Sequence, residues 1–164
     1  IDKNISGIII DWDLDKNNDT LDLAICTSEV DNILRNTPFK TSIARNKINL
    51  LVEGSRIRGA ADIFKLIGLG ADAAGISKSA LLSINYDPKK FRNDSNESNF
   101  DQDKTREKLE YTILALQKEI KLLAGAAGIS STQNSLLGNR ELFRSVDLDP
   151  LIRKRLGIKA GGAP

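Results

Sequence analysis

Two short glycine-containing segments carry the residue types best suited to hold an anion. They are Gly54-Ser55-Arg56 and Gly75-Ile76-Ser77-Lys78, and each joins a short apolar run to a helical pattern. Backbone N–H groups at the start of a helix have no intrahelical partner, so turns of this kind attract oxyanions. The two turns together predict one phosphate site. The alternative is that the glycines only allow tight turns.

The basic side chains near these turns support the same hypothesis. Lys78 and Arg58 are the nearest cations, and Lys78 stands at a predicted helix start. A positive charge is favourable at that position only beside a bound anion, so Lys78 is the better candidate. A lysine that is merely solvated is the alternative. The backbone N–H groups predicted to hold the phosphate are those of Ser55, Arg56, Ser77 and Lys78.

The segment that follows the first apolar run could bind a hard cation. Its side-chain oxygens occupy positions 1, 3, 5, 7, 9 and 12 of a twelve-residue frame, as in an EF-hand calcium loop: Asp11, Asp13, Asp15, Asn17, Asp19 and Asp22. However, Lys16 stands where that loop needs glycine. We therefore predict no metal site, with calcium at Asp11, Asp13 and Asp15 as the weaker alternative. The competing interpretation is a solvated turn capped by Asp19 or Thr20.

The elements that position these turns alternate between strands and helices. The apolar patterns predict three β-strands, each followed by a helix: strand Ser6–Asp11, a helix from Thr20 to before Pro38, strand Ile48–Val52, helix Ala60–Leu69, strand Ala73–Ile76 and helix Ser79–Ile84. This order predicts an α/β fold with a parallel sheet and right-handed crossovers. The two turns then lie side by side at the carboxyl edge of neighbouring strands.

The second half of the chain is predicted to be helical. A polar loop over residues 85–105 precedes a helix from Arg106, whose apolar stripe packs on the core: Leu109, Ile113, Leu116, Ile120 and Leu123. A shorter helix is predicted over Leu136–Phe143, and Asp149-Pro150 starts another. The chain therefore divides into residues 1–84, the loop 85–105 and a C-terminal helical extension over 106–164.

Composition excludes several classes of function. The chain has 164 residues, of which 24 are Lys or Arg and 22 are Asp or Glu, giving a net charge of +2. No basic block is present, so no nucleic-acid partner is predicted. No apolar run approaches the roughly 20 residues needed to cross a bilayer, which predicts a soluble, cytoplasmic protein without a membrane partner.

Cysteine and histidine usage narrows the chemistry further. Cys26 is the single cysteine and histidine is absent, which excludes an internal disulfide, a Cys/His metal site and Ser-His-Asp catalysis within the chain. Cys26 lies on the apolar side of its helical pattern and is predicted to be buried and inert. Methionine is also absent, which indicates a processed piece or part of a longer polypeptide.

The residues around both turns resemble a known family. The segment Val52–Ile76 is similar to the last two βα units of the FMN-binding barrels of the glutamate synthase and inosine-monophosphate dehydrogenase type. Downstream, Leu116–Ser131 and Leu137–Phe143 resemble the closing helices of the glutamate synthase FMN-binding domain. The resemblance extends over about Gly7 to Leu151.

This resemblance implies both a fold and an activity. The fold is the last three βα units of a TIM (β/α)₈ barrel followed by the C-terminal helical extension. The activity is that of an FMN-dependent oxidoreductase of amino-acid biosynthesis, with the FMN phosphate held by Gly54, Ser55, Arg56, Gly75, Ile76, Ser77 and Lys78. Three strands cannot close a barrel, so the N-terminal barrel half must come from another chain or a missing segment, within an oligomer. That half would supply the catalytic residues, which this chain does not identify.

Three departures from the family pattern keep a second interpretation open. Arg56 replaces the second glycine of the phosphate loop, and its side chain either grips the phosphate or fills its place. The three cysteines of the family's iron–sulfur cluster are missing, so no cluster forms on this chain. The segment Asp11–Asp15 replaces the family's Gly-Gly-Thr-Gly substrate loop. The alternative function is therefore a non-catalytic structural or regulatory barrel fragment that has lost the flavin site.

Overall fold

The fold was obtained as a computed structural model, which describes residues 5–13, 22–86 and 101–163. Asp15, Asp19 and Thr20 lie outside these residues, as does most of the predicted polar loop. In the described part of the chain, no helix is long and apolar enough to cross a membrane.

The first half of the chain alternates strands with helices, as the apolar patterns predict. Its elements are β1 (Gly7–Asp11), α1 (Leu23–Asn36), β2 (Pro38–Phe39), β3 (Ser42–Ile43), β4 (Asn49–Glu53), α2 (Ala60–Leu69), β5 (Ala73–Gly75) and α3 (Ser77–Ser83). Strands β1, β4 and β5 form a parallel sheet in the order β1-β4-β5. Strands β2 and β3 form a small antiparallel pair that the sequence did not predict. The fold class is therefore α/β, with the predicted parallel sheet.

The two faces of the parallel sheet have different surroundings. Successive strand residues point to opposite faces, so β4 buries Leu50 and Val52, each 0% exposed, on the helix side. The core on that side joins the sheet to α1 and α2: Leu23, Val52, Ile57, Ile63, Leu66 and Ala71. On the other face, Ile9 is 64% exposed and Leu51 is 36% exposed. Within the described residues, the helices therefore cover one face and leave apolar side chains on the other.

Helix α2 has the bounds that the sequence predicts. It ends at Gly70, whose φ of 123° lies in the region that favours glycine. A Cβ at Gly70 would collide with the side chain of Asp31. Glycine is therefore required there both by the backbone and by its neighbour.

The second half contains α4 (Gln102–Ala126), β6 (Arg144–Ser145), α5 (Pro150–Leu156) and β7 (Lys159–Ala160). Helix α4 begins before the predicted Arg106, because the Asp101 carboxylate caps it by accepting a bond from the Lys104 N–H. The predicted start of α5 is confirmed, since Asp149 caps it and Pro150 occupies its first turn.

The predicted helix over Leu136–Phe143 is wrong. The chain instead forms a single π turn over Thr132–Leu136 and a single 3₁₀ turn over Arg140–Leu142. Between them Gly138 has a φ of 65°, and its N–H donates to the carbonyl oxygen of Ile67. This left-handed residue and its long-range bond interrupt the helical pattern.

Helix α4 packs less deeply than its apolar stripe predicts. Leu116 and Ile120 contact the core cluster, whereas Ile113 is 40% exposed and no residue of the helix is fully buried. The helix lies against α2 and α3. It therefore covers the outside of the βα units with part of its stripe.

A buried carboxylate joins the two halves of the chain. The Asp31 side chain is 0% exposed and pairs with the guanidinium groups of Arg35, Arg45 and Arg140 at 2.7, 2.7 and 3.0 Å. Arg140 also donates to the carbonyl oxygens of Ser28 and Leu69. Burial lowers the pKa of the Arg140 guanidinium, and the Asp31 carboxylate beside it offsets part of that effect.

Candidate functional site

The two predicted phosphate turns lie side by side at the carboxyl edge of the sheet. Glu53 at the end of β4 is in register with Gly75 at the end of β5, so the segments that follow these strands are neighbours. A bond between the Ser79 hydroxyl and the carbonyl oxygen of Ile57, at 2.5 Å, ties the two turns together. The structure therefore brings together the two segments that the sequence singles out.

The end of β1 places a carboxylate between the two turns. The Ser55 hydroxyl donates to Asp13 Oδ1 at 2.7 Å, and Lys78 Nζ lies 3.7 Å from Asp13 Oδ2. One carboxylate thus contacts a side chain from each turn. A hydroxyl and an ammonium group are both donors to oxyanions such as carboxylate and phosphate.

Backbone hydrogen bonds hold Asp13 in this position. The Trp12 N–H donates to the carbonyl oxygen of Glu53 at 3.0 Å, which continues the β1–β4 ladder by one bond. The N–H of Asp13 itself donates to Asp11 Oδ1 at 2.9 Å. The position of Asp13 is therefore set by the register of β1 on β4.

The Arg56 side chain contacts Trp12, which follows β1, and Asp22 at the start of α1. Its guanidinium lies over the Trp12 ring, 5.4 Å from the ring centroid, and 3.6 Å from Asp22 Oδ2. Asp22 caps α1, because its carboxylate accepts a bond from the Ala24 N–H. The side chain of Arg56 is 59% exposed, so these contacts leave it free to turn toward other groups.

The glycines of both turns have structural reasons of their own. A Cβ at Gly54 would lie 2.8 Å from Trp12 Cβ, and a Cβ at Gly75 would lie 3.2 Å from Glu53 Cγ. Glycine at these positions lets the neighbouring side chains approach the backbone. Ile76 contributes to the core cluster, and Ser77 is exposed at the first position of α3.

The calcium hypothesis is tested only in part. Asp11 accepts a bond from the Asp13 N–H, and the Asp13 carboxylate contacts Ser55 and Lys78. Among the described residues no three His, Cys, Asp or Glu side chains are grouped as a metal ion would need. Asp15 lies outside the described residues, so calcium stays an untested alternative to the prediction of no metal site.

Cys26 is less buried than its position in the helical pattern predicts. The side chain is half-buried, and burial together with the nearby Glu29 carboxylate raises the pKa of its thiol. A raised pKa disfavours the thiolate, which is the reactive form. The prediction of an unreactive cysteine agrees with this direction.

Comparison with known proteins identifies the relatives of this segment. No family model matches, and no solved structure matches at a significant level. Curated proteins do match. An archaeal glutamate synthase (NADPH) of Methanocaldococcus jannaschii is 35% identical, over 72% of this chain and 25% of the relative. The archaeal-type glutamate synthase (NADPH) of Thermotoga maritima is 32% identical, and the archaeal one of Archaeoglobus fulgidus is 35% identical. Each match again covers 72% of this chain and 25% of the relative.

The parallel βα units place the chain in the α/β class. Over this segment the chain is homologous to archaeal-type glutamate synthases, which confirms the resemblance to that family. It spans about a quarter of the length of the curated relatives that it matches.

Proposed function

We propose that the chain supplies the last three βα units of an FMN-dependent (β/α)₈ barrel of the glutamate synthase type, and that its two turns hold the FMN phosphate. One observation carries the phosphate assignment: Ser55 and Lys78, one from each turn, converge on a single oxyanion, the Asp13 carboxylate. The residues present therefore fit an anionic group. From the family we also propose a role in amino-acid biosynthesis and a cytoplasmic location.

The exposed face of the sheet supports a barrel that is completed by other strands. In a closed (β/α)₈ barrel, helices cover the outside while side chains from the inner face fill the interior. Here α1 and α2 cover one face, and Ile9 and Leu51 stand exposed on the other. We propose that the N-terminal barrel half, in the same polypeptide or in another, covers these side chains. An oligomer with such a second chain is part of the proposal.

The role of this chain's residues toward FMN is to bind and orient its phosphate. The proposed donors are the Ser55 hydroxyl, the Lys78 ammonium group, and the backbone N–H groups of Ser55, Arg56, Ser77 and Lys78. When bound, FMN would supply the electron-transfer chemistry. The catalytic residues are proposed to lie in the remaining strands. We assign no iron–sulfur cluster to this chain, because Cys26 is its single cysteine.

Replacing Lys78 with alanine is expected to weaken FMN binding roughly tenfold, which corresponds to about 1.4 kcal/mol. The reason is that the variant removes a charge-assisted contact to the phosphate. The affinity is measured by flavin fluorescence titration of the complete protein. Lys108→Ala, a change at an exposed lysine of α4, serves as the control and is expected to leave the affinity unchanged. Equal FMN affinities of the Lys78 variant and the unaltered protein would show that these turns do not hold the phosphate.

The second candidate function is a structural or regulatory barrel segment without flavin. It is favoured by Arg56, which stands at a position where the family has glycine and contacts Trp12 and Asp22. Arg56→Gly in the same titration separates the two roles of the arginine: tighter FMN binding shows that it obstructs the site, and weaker binding shows that it grips the phosphate. A colourless protein that gains no thermal stability from added FMN would support the second function.

A further inference from the structure

We propose that the Asp13 carboxylate is a resident competitor for the anion site, so that a phosphate monoester binds only when this carboxylate leaves Ser55 and Lys78. The proposal rests on the proposed function, in which the same turns hold the phosphate of FMN. It adds a regulatory group that belongs to this chain and that the family resemblance does not supply.

The contacts of Asp13 are those that an incoming phosphate would need. The carboxylate accepts the Ser55 hydroxyl at 2.7 Å with one oxygen and faces Lys78 Nζ at 3.7 Å with the other. A phosphate oxygen held by the same two groups would occupy the space of the carboxylate. Binding of the two anions at this place is therefore mutually exclusive.

Charge at the edge of the sheet strengthens the competition. Asp11 and Glu53, the last residues of β1 and β4, are in register with each other, and Asp13 lies two residues beyond Asp11. Like charges that share a site repel each other. A phosphate beside these carboxylates would meet repulsion that Lys78 must offset, and removal of the Asp13 charge lowers that repulsion.

The competitor can be displaced by a side-chain rotation. The side chain of Asp13 is 37% exposed and that of Lys78 is 55% exposed. Ion pairs with this degree of exposure are weak, because water solvates both charges when the pair separates. Backbone bonds hold residues 12 and 13 against β4 and Asp11, so the carboxylate can leave while the backbone stays in place.

The test is Asp13→Asn in the complete protein, with FMN and inorganic phosphate as separate probes. Asparagine keeps an oxygen for the Ser55 hydroxyl and removes the charge. We expect FMN and inorganic phosphate each to bind roughly tenfold more tightly than to the unaltered protein, a change of about 1.4 kcal/mol. Asp103→Asn, at a 94% exposed carboxylate of α4, is the matched control and should change neither affinity.

Asp13→Ser is the second variant. The asparagine amide can still occupy the place of the carboxylate, whereas the shorter serine side chain leaves that space open. It should tighten phosphate binding as well, and the thermal unfolding midpoint without ligand should stay unchanged in both variants. The double variant with Asp13→Asn and Ser55→Ala should bind phosphate less tightly than Asp13→Asn alone, because it lacks the hydroxyl that donates to the phosphate.

The outcomes separate this inference from the proposed function. If the unaltered protein binds FMN and both Asp13 variants bind it equally well, the competitor is overturned and the phosphate assignment stands. Weaker binding by the variants would also overturn the competitor, since Asp13 would then position Lys78 for the phosphate. If neither the unaltered protein nor the variants bind FMN or phosphate, both proposals are wrong.

Discussion

Replacing Asp31 with asparagine is expected to lower the free energy of unfolding by about 3–5 kcal/mol, the effect of breaking a buried ion pair from one side. Asp31 is fully buried, and its partners Arg45 and Arg140 have side chains that are only 8% and 16% exposed. The neutral amide would leave the Arg140 guanidinium without its ion-pair partner, whereas Arg45 would keep its pair with Asp72 at 2.9 Å. Arg140 would be affected most, because its side chain is only 16% exposed and its ion pair in the described residues is with Asp31.

Urea unfolding followed by circular dichroism measures this change. The control is Asp103→Asn, in which the carboxylate is 94% exposed and pairs with Arg106 within the same helix. Surface changes of this kind alter the unfolding free energy by about 0.5 kcal/mol or less. A loss below about 1 kcal/mol for Asp31→Asn would show that the three arginines are held by other groups.

Replacing Ile9 with aspartate is expected to weaken association with the remaining barrel strands by roughly a hundredfold, or about 2.7 kcal/mol. Ile9 projects from the sheet face that the helices leave open and is 64% exposed. In the completed barrel this side chain would enter the interior, where an unpaired carboxylate is strongly unfavourable. The fold of the chain itself should change little, because Ile9 is already exposed to water.

The matched control for this variant is Ile33→Asp. Ile33 is 63% exposed, but it lies on helix α1, away from the open sheet face. Gel filtration with multi-angle light scattering compares the two variants with the unaltered protein. If Ile9→Asp dissociates no further than Ile33→Asp, the open face is not an interface and the barrel proposal loses its structural support.

Local chemistry made much of the first half predictable from sequence. The bounds of α2 follow from its apolar period and from Gly70, and the three parallel strands follow from short apolar runs between polar turns. The second half depends more on distant contacts. Arg140 enters the Asp31 cluster from a position 109 residues away along the chain, and Gly138 bonds to Ile67. Those contacts replace the predicted helix over Leu136–Phe143 by two short turns.

Part of the candidate site could be predicted from the sequence and part could not. Adjacent turns are a consequence of parallel strands, so their proximity could be predicted from the order of elements. The place of Asp13 could not, because it depends on the register that sets Asp11 beside Glu53. The sequence pattern instead grouped Asp13 with the acidic residues of a calcium frame. The available clue was its position two residues beyond the first of three parallel strands, of which the other two lead into glycine-containing turns.

The central claim is that these residues form one part of a flavin-binding barrel that other strands complete. Native mass spectrometry coupled to gel filtration and flavin absorption tests it most directly, on the particle in which these 164 residues are found. We expect a yellow particle heavier than 18.0 kDa that contains the remaining barrel strands. A colourless monomer of 18.0 kDa that unfolds in one cooperative transition would contradict it.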